Sequence, residues 1–326
     1  MKKWNPVFFA IGIIAVGYMI YDTGIDLIWA NIQKTGIWFL PVIGVWLAVY
    51  LINALAWNLI LHDRDTPENQ LPSFLNVFRI TVSGYAINYI TPVINLGGEP
   101  YRIFELKDKI GINKATSKVL SYSMMHVLSH IVFWIVSIAL IIAVLNPPAG
   151  IVAACILALV FFLFFLYFLF RGYRKGMIVK LFRILGKLPF IRQRISRLNE
   201  KKLATFQEID ANIVQLYSSR KTVFYSALLL EILARTVSCL ELLFIGRAIE
   251  IDMSMIDAIV LYAGSTLFYN IMFFAPMQLG TREGGMALTL STMGFAASAG
   301  LYIGLVTRIR ELFWICIGMI LMKCRF

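Results

Sequence analysis

Two carboxylates, each close to an arginine and each just past a Pro–Gly break in an apolar run, are the groups in this chain best placed to do chemistry. Glu99 follows Pro92 by seven residues in Thr91-Pro92-Val93-Ile94-Asn95-Leu96-Gly97-Gly98-Glu99-Pro100-Tyr101-Arg102. Glu283 follows Pro276 by seven in Ala275-Pro276-Met277-Gln278-Leu279-Gly280-Thr281-Arg282-Glu283. A helix that starts at such a break presents free N–H groups, and beside Arg102 or Arg282 these make a receptor for phosphate. The carboxylate can take a cationic group or fix the arginine. In lipid, broken backbone and charge are tolerated only against protein or a wet cavity. A pair of interrupted segments, one in each half, points to a transporter's midplane site. The plainer reading is two helix breaks that end spans at the interface, each Glu capping a helix N-terminus.

The elements that position these residues belong in lipid. Of 326 residues 60% are hydrophobic, only 15% are charged, and mean hydropathy is +0.77, too little polar surface for a soluble core of this size. Apolar segments of spanning length cover about 6–28, 36–61, 117–145, 149–170, 222–246 and 256–276, and 74–96 and 284–322 are apolar but interrupted. This predicts an all-α polytopic integral membrane protein of about eight transmembrane or half-membrane segments. It has two loosely repeated halves, 1–170 with a re-entrant turn near 83–100 and 222–326 with a Pro/Gly turn near 275–285, joined by a linker over 171–221. Cys155, Cys239, Cys316 and Cys324 lack metal-ligand spacing and read as small hydrophobes.

Charge sets the orientation. The linker carries 13 basic residues against Glu200, Glu208 and Asp210, ten of the chain's twelve net positive charges, and is predicted to be cytoplasmic in the cell membrane. Lys2 and Lys3 before an uncleaved anchor put the N-terminus on the same side. The basic stretch from Arg102 to Lys118 then also falls inside, so 74–96 must leave and re-enter on one side, breaking near Ser83–Gly84 or at Pro92. Ile178, Leu181, Phe182, Leu185 and Leu188 give the linker an amphipathic helix, read here as ordinary positive-inside topology.

Other charges sit at membrane depth. Glu231 and Arg235 share a helix face and can pair. Glu241 and Arg247 can reach an interface. Arg308, Arg310 and Glu311 are deep if 299–322 is one crossing and interfacial if it is two short pieces. His126 and His130 share a face and read as hydrogen-bonded packing, since two histidines without a nearby carboxylate make a poor metal site.

Thr91-Pro92 with Gly97-Gly98-Glu99 and Arg102, then Pro276 with Leu279-Gly280 and Glu283, then Arg308, resemble the lysylphosphatidylglycerol synthase transmembrane region family of flippase-like membrane proteins. The resemblance implies a membrane fold with re-entrant elements, associated with flipping modified or glycosylated phospholipids or polyprenyl-linked lipids. In bifunctional members a cytosolic aminoacyl transferase follows; this sequence stops at Phe326, so the resemblance carries the transport half alone. Met125-His126 stands where the family commonly has Glu-Arg, and Gln278 where a Gly is usual.

Translocation or binding of a lipid headgroup is therefore the leading expectation. Thr91, Pro92, Gly97, Gly98, Glu99, Arg102, Pro276, Gly280, Arg282, Glu283 and Arg308 would form the site, with His126, Glu231 and Arg235 in support. Headgroup or lipid-linked sugar transfer with Glu99 or Glu283 as base, and a scaffold for a separately encoded synthase or transferase docked on the linker, stay open. No Walker A loop and no Asp-x-Asp pair occurs. Neither cofactor nor metal nor nucleic acid is implied; the partners are membrane lipids, anionic or phosphate-bearing, and a second copy of the chain.

Overall fold

A computed structural model describes residues 24–63, 66–91, 97–144, 148–185, 192–272 and 280–324, with Gly17, Ile20 and Tyr21. Pro92, Pro276, Gln278 and most of the N-terminal anchor lie outside the described residues, which are all-helical apart from turns. After α1 (Ile25–Thr35), four helices form a first group: α2 (Phe39–Leu61), α3 (Phe74–Ile90), α4 (Gly98–Ile110) and α5 (Ile112–Val144). Then come α6 (Ala149–Lys175), α7 (Ile178–Leu185) and α8 (Arg192–Ser218). A second group of four follows: α9 (Lys221–Ala248), α10 (Met255–Ile271), α11 (Thr281–Thr292) and α12 (Ala297–Leu321).

The two groups have matching builds. Helices of 23, 17, 13 and 33 residues in the first correspond to 28, 17, 12 and 25 in the second. In the first, α3 and α4 run antiparallel, because Asn88 meets Gly98, Gly84 meets Arg102 and Arg79 pairs with Glu105. In the second, α10 and α11 do the same, with Phe268 against Gly285 and Gly264 against Thr289. Each long helix packs on its own hairpin and on the other group's: α5 on α4 and α10, α12 on α11 and α3.

The groups are inverted with respect to each other. Their leading helices α2 and α9 form the most extensive pair in the molecule and run antiparallel. Trp38 stacks on Phe244 at one end, Trp46 donates to Glu241 nearer the middle, and Arg220 donates to the Leu59 carbonyl at the other end. The α3–α4 hairpin therefore starts from the linker end of the bundle and the α10–α11 hairpin from the opposite end.

Three stretches, Ile25–Leu61, Ile112–Ala143 and Ala149–Lys175, are long and apolar enough to cross a bilayer. The last is barely covered by protein and exposes Leu157, Phe161, Phe164 and Phe168, side chains that lipid would solvate. Elsewhere the helices are held by close approach, since lipid offers no hydrophobic drive between them. A Cβ at Gly300 would fall 2.4 Å from the Ala287 backbone, and Ser83 donates to the Gly318 carbonyl at 2.9 Å.

Two alternatives left open by the sequence are decided. Helix α3 passes unbroken through Ser83–Gly84. Gly84 is there because the Arg102 guanidinium occupies its side-chain space, with Nε 2.6 Å from where a Cβ would sit. The last apolar region forms one continuous helix, Ala297–Leu321, so Arg308, Arg310 and Glu311 fall at its middle, buried.

Candidate functional site

The first hairpin is closed by its glycines. The Gly98 N–H donates to Asn88 Oδ1 at 2.6 Å, and a Cβ on Gly98 would lie 2.3 Å from the Gly84 carbonyl oxygen. The Thr91 hydroxyl donates to the Ile87 carbonyl at 2.7 Å and fills the space a side chain at Gly97 would need. Gly97, Gly98 and Thr91 thus set the close approach of α3 and α4, and α4 carries Glu99 and Arg102 inward. Arg102 is buried under the rings of Tyr85, Tyr122 and Trp57, with centroids 5.0, 5.4 and 5.7 Å away. Glu99 lies 3.6 Å from Arg102 Nη1 and accepts from Ser123 Oγ at 3.4 Å. Among the described residues, Glu99 Oε2 and the Nε and Nη2 of Arg102 have no hydrogen-bond partner.

The second hairpin is fully engaged with α12. Gly280, at φ +72°, sits in the left-handed region as α11 begins. Arg282 pairs with Glu311 and lies over the Tyr269 ring at 5.4 Å. Glu283 Oε1 accepts from Arg308 Nε at 2.8 Å and Nη2 at 2.6 Å. Arg310 forks onto Glu241 at 2.7 and 3.0 Å, and its guanidinium sits 3.7 Å from the Trp46 ring centroid. Glu241, expected at an interface, is only 2% exposed; because α12 is continuous, Arg310 reaches it at depth.

A third cluster joins α5 to α9. Glu231 Oε2 lies 2.7 Å from His126 Nδ1 and 3.8 Å from Arg235 Nη2. Arg235 donates to Ser129 Oγ at 2.9 Å, to His130 Nε2 at 2.6 Å and to the His126 carbonyl at 2.8 Å. The carboxylate that the histidine pair lacks in sequence is thus supplied in space by α9.

These clusters border two polar cavities and one apolar groove. A chamber of about 100 Å³ is lined by His126, His130, Glu231, Arg235, Asn53 and Tyr85. A smaller cavity of about 40 Å³ is lined by Glu241, Arg282, Arg310, Glu311 and Thr307. Trp46, Tyr89, Tyr262 and Tyr269 wall both. The groove, about 720 Å³ between α5, α6 and α10, is lined by Trp134, Leu157, Phe161, Phe165 and Leu267, and His130 lines it as well as the chamber.

Of the site residues expected from sequence, His126, Glu231, Arg235 and Arg282 line these cavities. Glu99, Arg102, Glu283 and Arg308 form ion pairs outside the lining of either. Sequence reasoning missed the tyrosine walls, although their signal was present: Tyr85 precedes Pro92 by seven residues, as Tyr269 precedes Pro276. In both halves the order is Tyr, Pro, Glu at equal spacing.

An apolar helical bundle of inverted hairpin-bearing halves, with charge sealed inside it, is a polytopic integral membrane protein. Its family profile is that of the lysylphosphatidylglycerol synthase TM region, which matches residues 7–318, and the chain belongs to that family. That membership makes it a membrane protein related to lipid modification or flipping. No curated protein and no solved structure matches the chain.

Proposed function

We propose that the protein translocates an amphipathic lipid, sheltering a phosphate-bearing headgroup in the chamber between its two halves while an acyl or polyprenyl chain lies in the α5–α6–α10 groove. The observation that carries this reading is the sharing of His130 between a charged, hydrogen-bonding cavity and an apolar groove beside the lipid-facing α6. A headgroup crossing bare hydrocarbon loses its hydration outright. Arg235, two histidines and several tyrosine hydroxyls lower that barrier along a path whose apolar flank accepts the tail.

The same reading orients the molecule. With the basic linker cytoplasmic, the α3–α4 hairpin enters from the cytoplasm and the α10–α11 hairpin from outside. Their second helices, roughly 20 and 18 Å long at 1.5 Å per residue, fall short of a hydrocarbon core of about 30 Å and fit re-entrant elements. Inverted halves around a central site are the architecture of alternating access. Proteoliposomes carrying a fluorescent phospholipid test the function through dithionite bleaching of lipid brought to the outer leaflet. Glu231→Gln with Arg235→Gln is expected to slow translocation about tenfold, equivalent to ~1.4 kcal/mol in the barrier. Bleaching at the wild-type rate by a variant that elutes as a folded protein would remove the chamber from the path.

A further inference from the structure

Resting on that reading, we infer that the chamber also binds a proton, at His126, and that the proton crosses together with the anionic headgroup. The assignment comes from donor and acceptor roles. Arginine only donates, so the 2.6 Å contact from Arg235 makes His130 Nε2 an acceptor and His130 a neutral ring. His126 is placed the other way round. Its Nδ1 faces the Glu231 carboxylate at 2.7 Å and therefore carries the hydrogen. Among the described residues, the ring hydrogen bonds of His126 fall on Nδ1, to Glu231 and the Tyr85 hydroxyl, and Nε2 is the nitrogen that accepts a proton. The His126 side chain is 28% exposed, whereas that of Glu231 is 1% exposed. Of this carboxylate–histidine pair, His126 is the member more open to the cavity.

The groups around it decide what the added charge does. From α9, Glu231 and Arg235 cancel. From α3 comes the Tyr85 hydroxyl, and from α5 itself Tyr122 and the neutral His130. Arg102 on α4 stands behind the Tyr85 and Tyr122 rings near its own Glu99. Across the chamber α10 presents Tyr262 and Tyr269, and α2 presents the uncharged Asn53 and Trp46. Beyond that wall, Arg282, Arg310, Glu241 and Glu311 on α9, α11 and α12 are paired with one another. A proton taken from water onto His126 Nε2 therefore gives a chamber of balanced charge one unit of positive charge. The resulting imidazolium keeps its Nδ1–H on Glu231. A phosphate-bearing headgroup neutralises that charge, and loss of the proton from the same nitrogen releases the headgroup. No bond other than N–H forms or breaks.

The test has two arms that fail separately. In the first, detergent-solubilised full-length protein in weak buffer with a pH-indicator dye receives short-chain phosphatidylglycerol. Wild type is expected to take up about one proton per lipid bound. His126→Gln is expected to take up none, and His62→Gln, a histidine outside the chamber at the end of α2, to retain the uptake. In the second, the proteoliposome assay is run with and without a one-unit pH gradient. One-proton coupling speeds wild type up to about tenfold in the favourable direction, and His126→Gln loses the response. Binding without proton uptake, or uptake lost with His62 and kept without His126, overturns the proton site. Uptake on binding without any lipid crossing leaves the proton site standing and overturns translocation instead.

Discussion

The two hairpin-bearing halves share an architecture but treat their charges in opposite ways. Around α11 and α12 every guanidinium meets a carboxylate: Arg282 with Glu311, Arg308 with Glu283, Arg310 with Glu241. Around α4 and α5, Arg102 is held mainly by aromatic faces, and Glu99 keeps only long contacts of 3.4 and 3.6 Å. Where the second half places Arg310, at the middle of its last long helix, the first places His126, whose charge can change. In the second half each of these arginines is held by a short carboxylate contact, whereas in the first Arg102 rests on aromatic faces and His126 can change its charge.

Removal of one arginine from each half should separate the two modes of charge burial most strongly. Arg310→Leu strands Glu241 at 2% exposure and uncovers Trp46, and an abandoned buried charge costs roughly 3–5 kcal/mol. Arg102→Leu strands no closely bound partner, and an apolar side chain suits its aromatic surroundings, so the expected cost is about 1 kcal/mol or less. Unfolding of both variants by denaturant titration in detergent micelles measures the gap. Equal losses would erase the distinction between the two halves.

The glycines sharpen it at smaller amplitude. Gly98→Ala must push a methyl into the Gly84 carbonyl oxygen 2.3 Å away, backbone that cannot rotate aside, at ~1–3 kcal/mol. On the other hairpin, Gly284 has open space around it, and Gly284→Ala should stabilise α11 by about 0.5–1 kcal/mol through helix propensity. Opposite shifts in melting temperature are the expected result. A shared sign would mean that the first hairpin is not packed backbone to backbone.

Much of this was legible in the chain, and the limits have physical causes. Apolar composition and segment length give an all-helical membrane protein, because lipid forces every backbone group to bond within its own helix. The twin Pro–Gly–Glu breaks mark the two hairpins. Sequence alone did not reveal which charges meet across helices. Glu231 with Arg235 reads as a self-sufficient pair at i and i+4, yet its closest contact is His126, 105 residues away. Glu241 reads as interfacial because its partner Arg310 lies 69 residues on. Helical periodicity fixes a residue's face but not the neighbour that face will find, and so the chamber emerged only from packing.

The smallest expected effect lies at the linker end, outside the apolar core, where both halves are tied together. Asp63, just past α2, accepts from Lys118 at 2.5 Å and from the Thr66 hydroxyl, with Lys114 at 3.4 Å. Arg220, leading into α9, donates to the Leu59, Ile60 and His62 carbonyls of the same corner. Burial alone would raise the Asp63 carboxyl, but the hydrogen bonds from Lys118 and Thr66 and the charges of both lysines bring it down to about 2. A depressed folded-state value stabilises the fold above the ordinary carboxylate range near 4, and that contribution fades as pH falls through about 2. Asp63→Asn should therefore cost ~1 kcal/mol or less at neutral pH, the scale of a partly solvated ion pair. The gap to wild type should close as unfolding is followed down toward pH 2. A gap that persists there would assign the role of Asp63 to hydrogen-bond geometry, which asparagine keeps only in part, and would make this corner a rigid joint independent of charge.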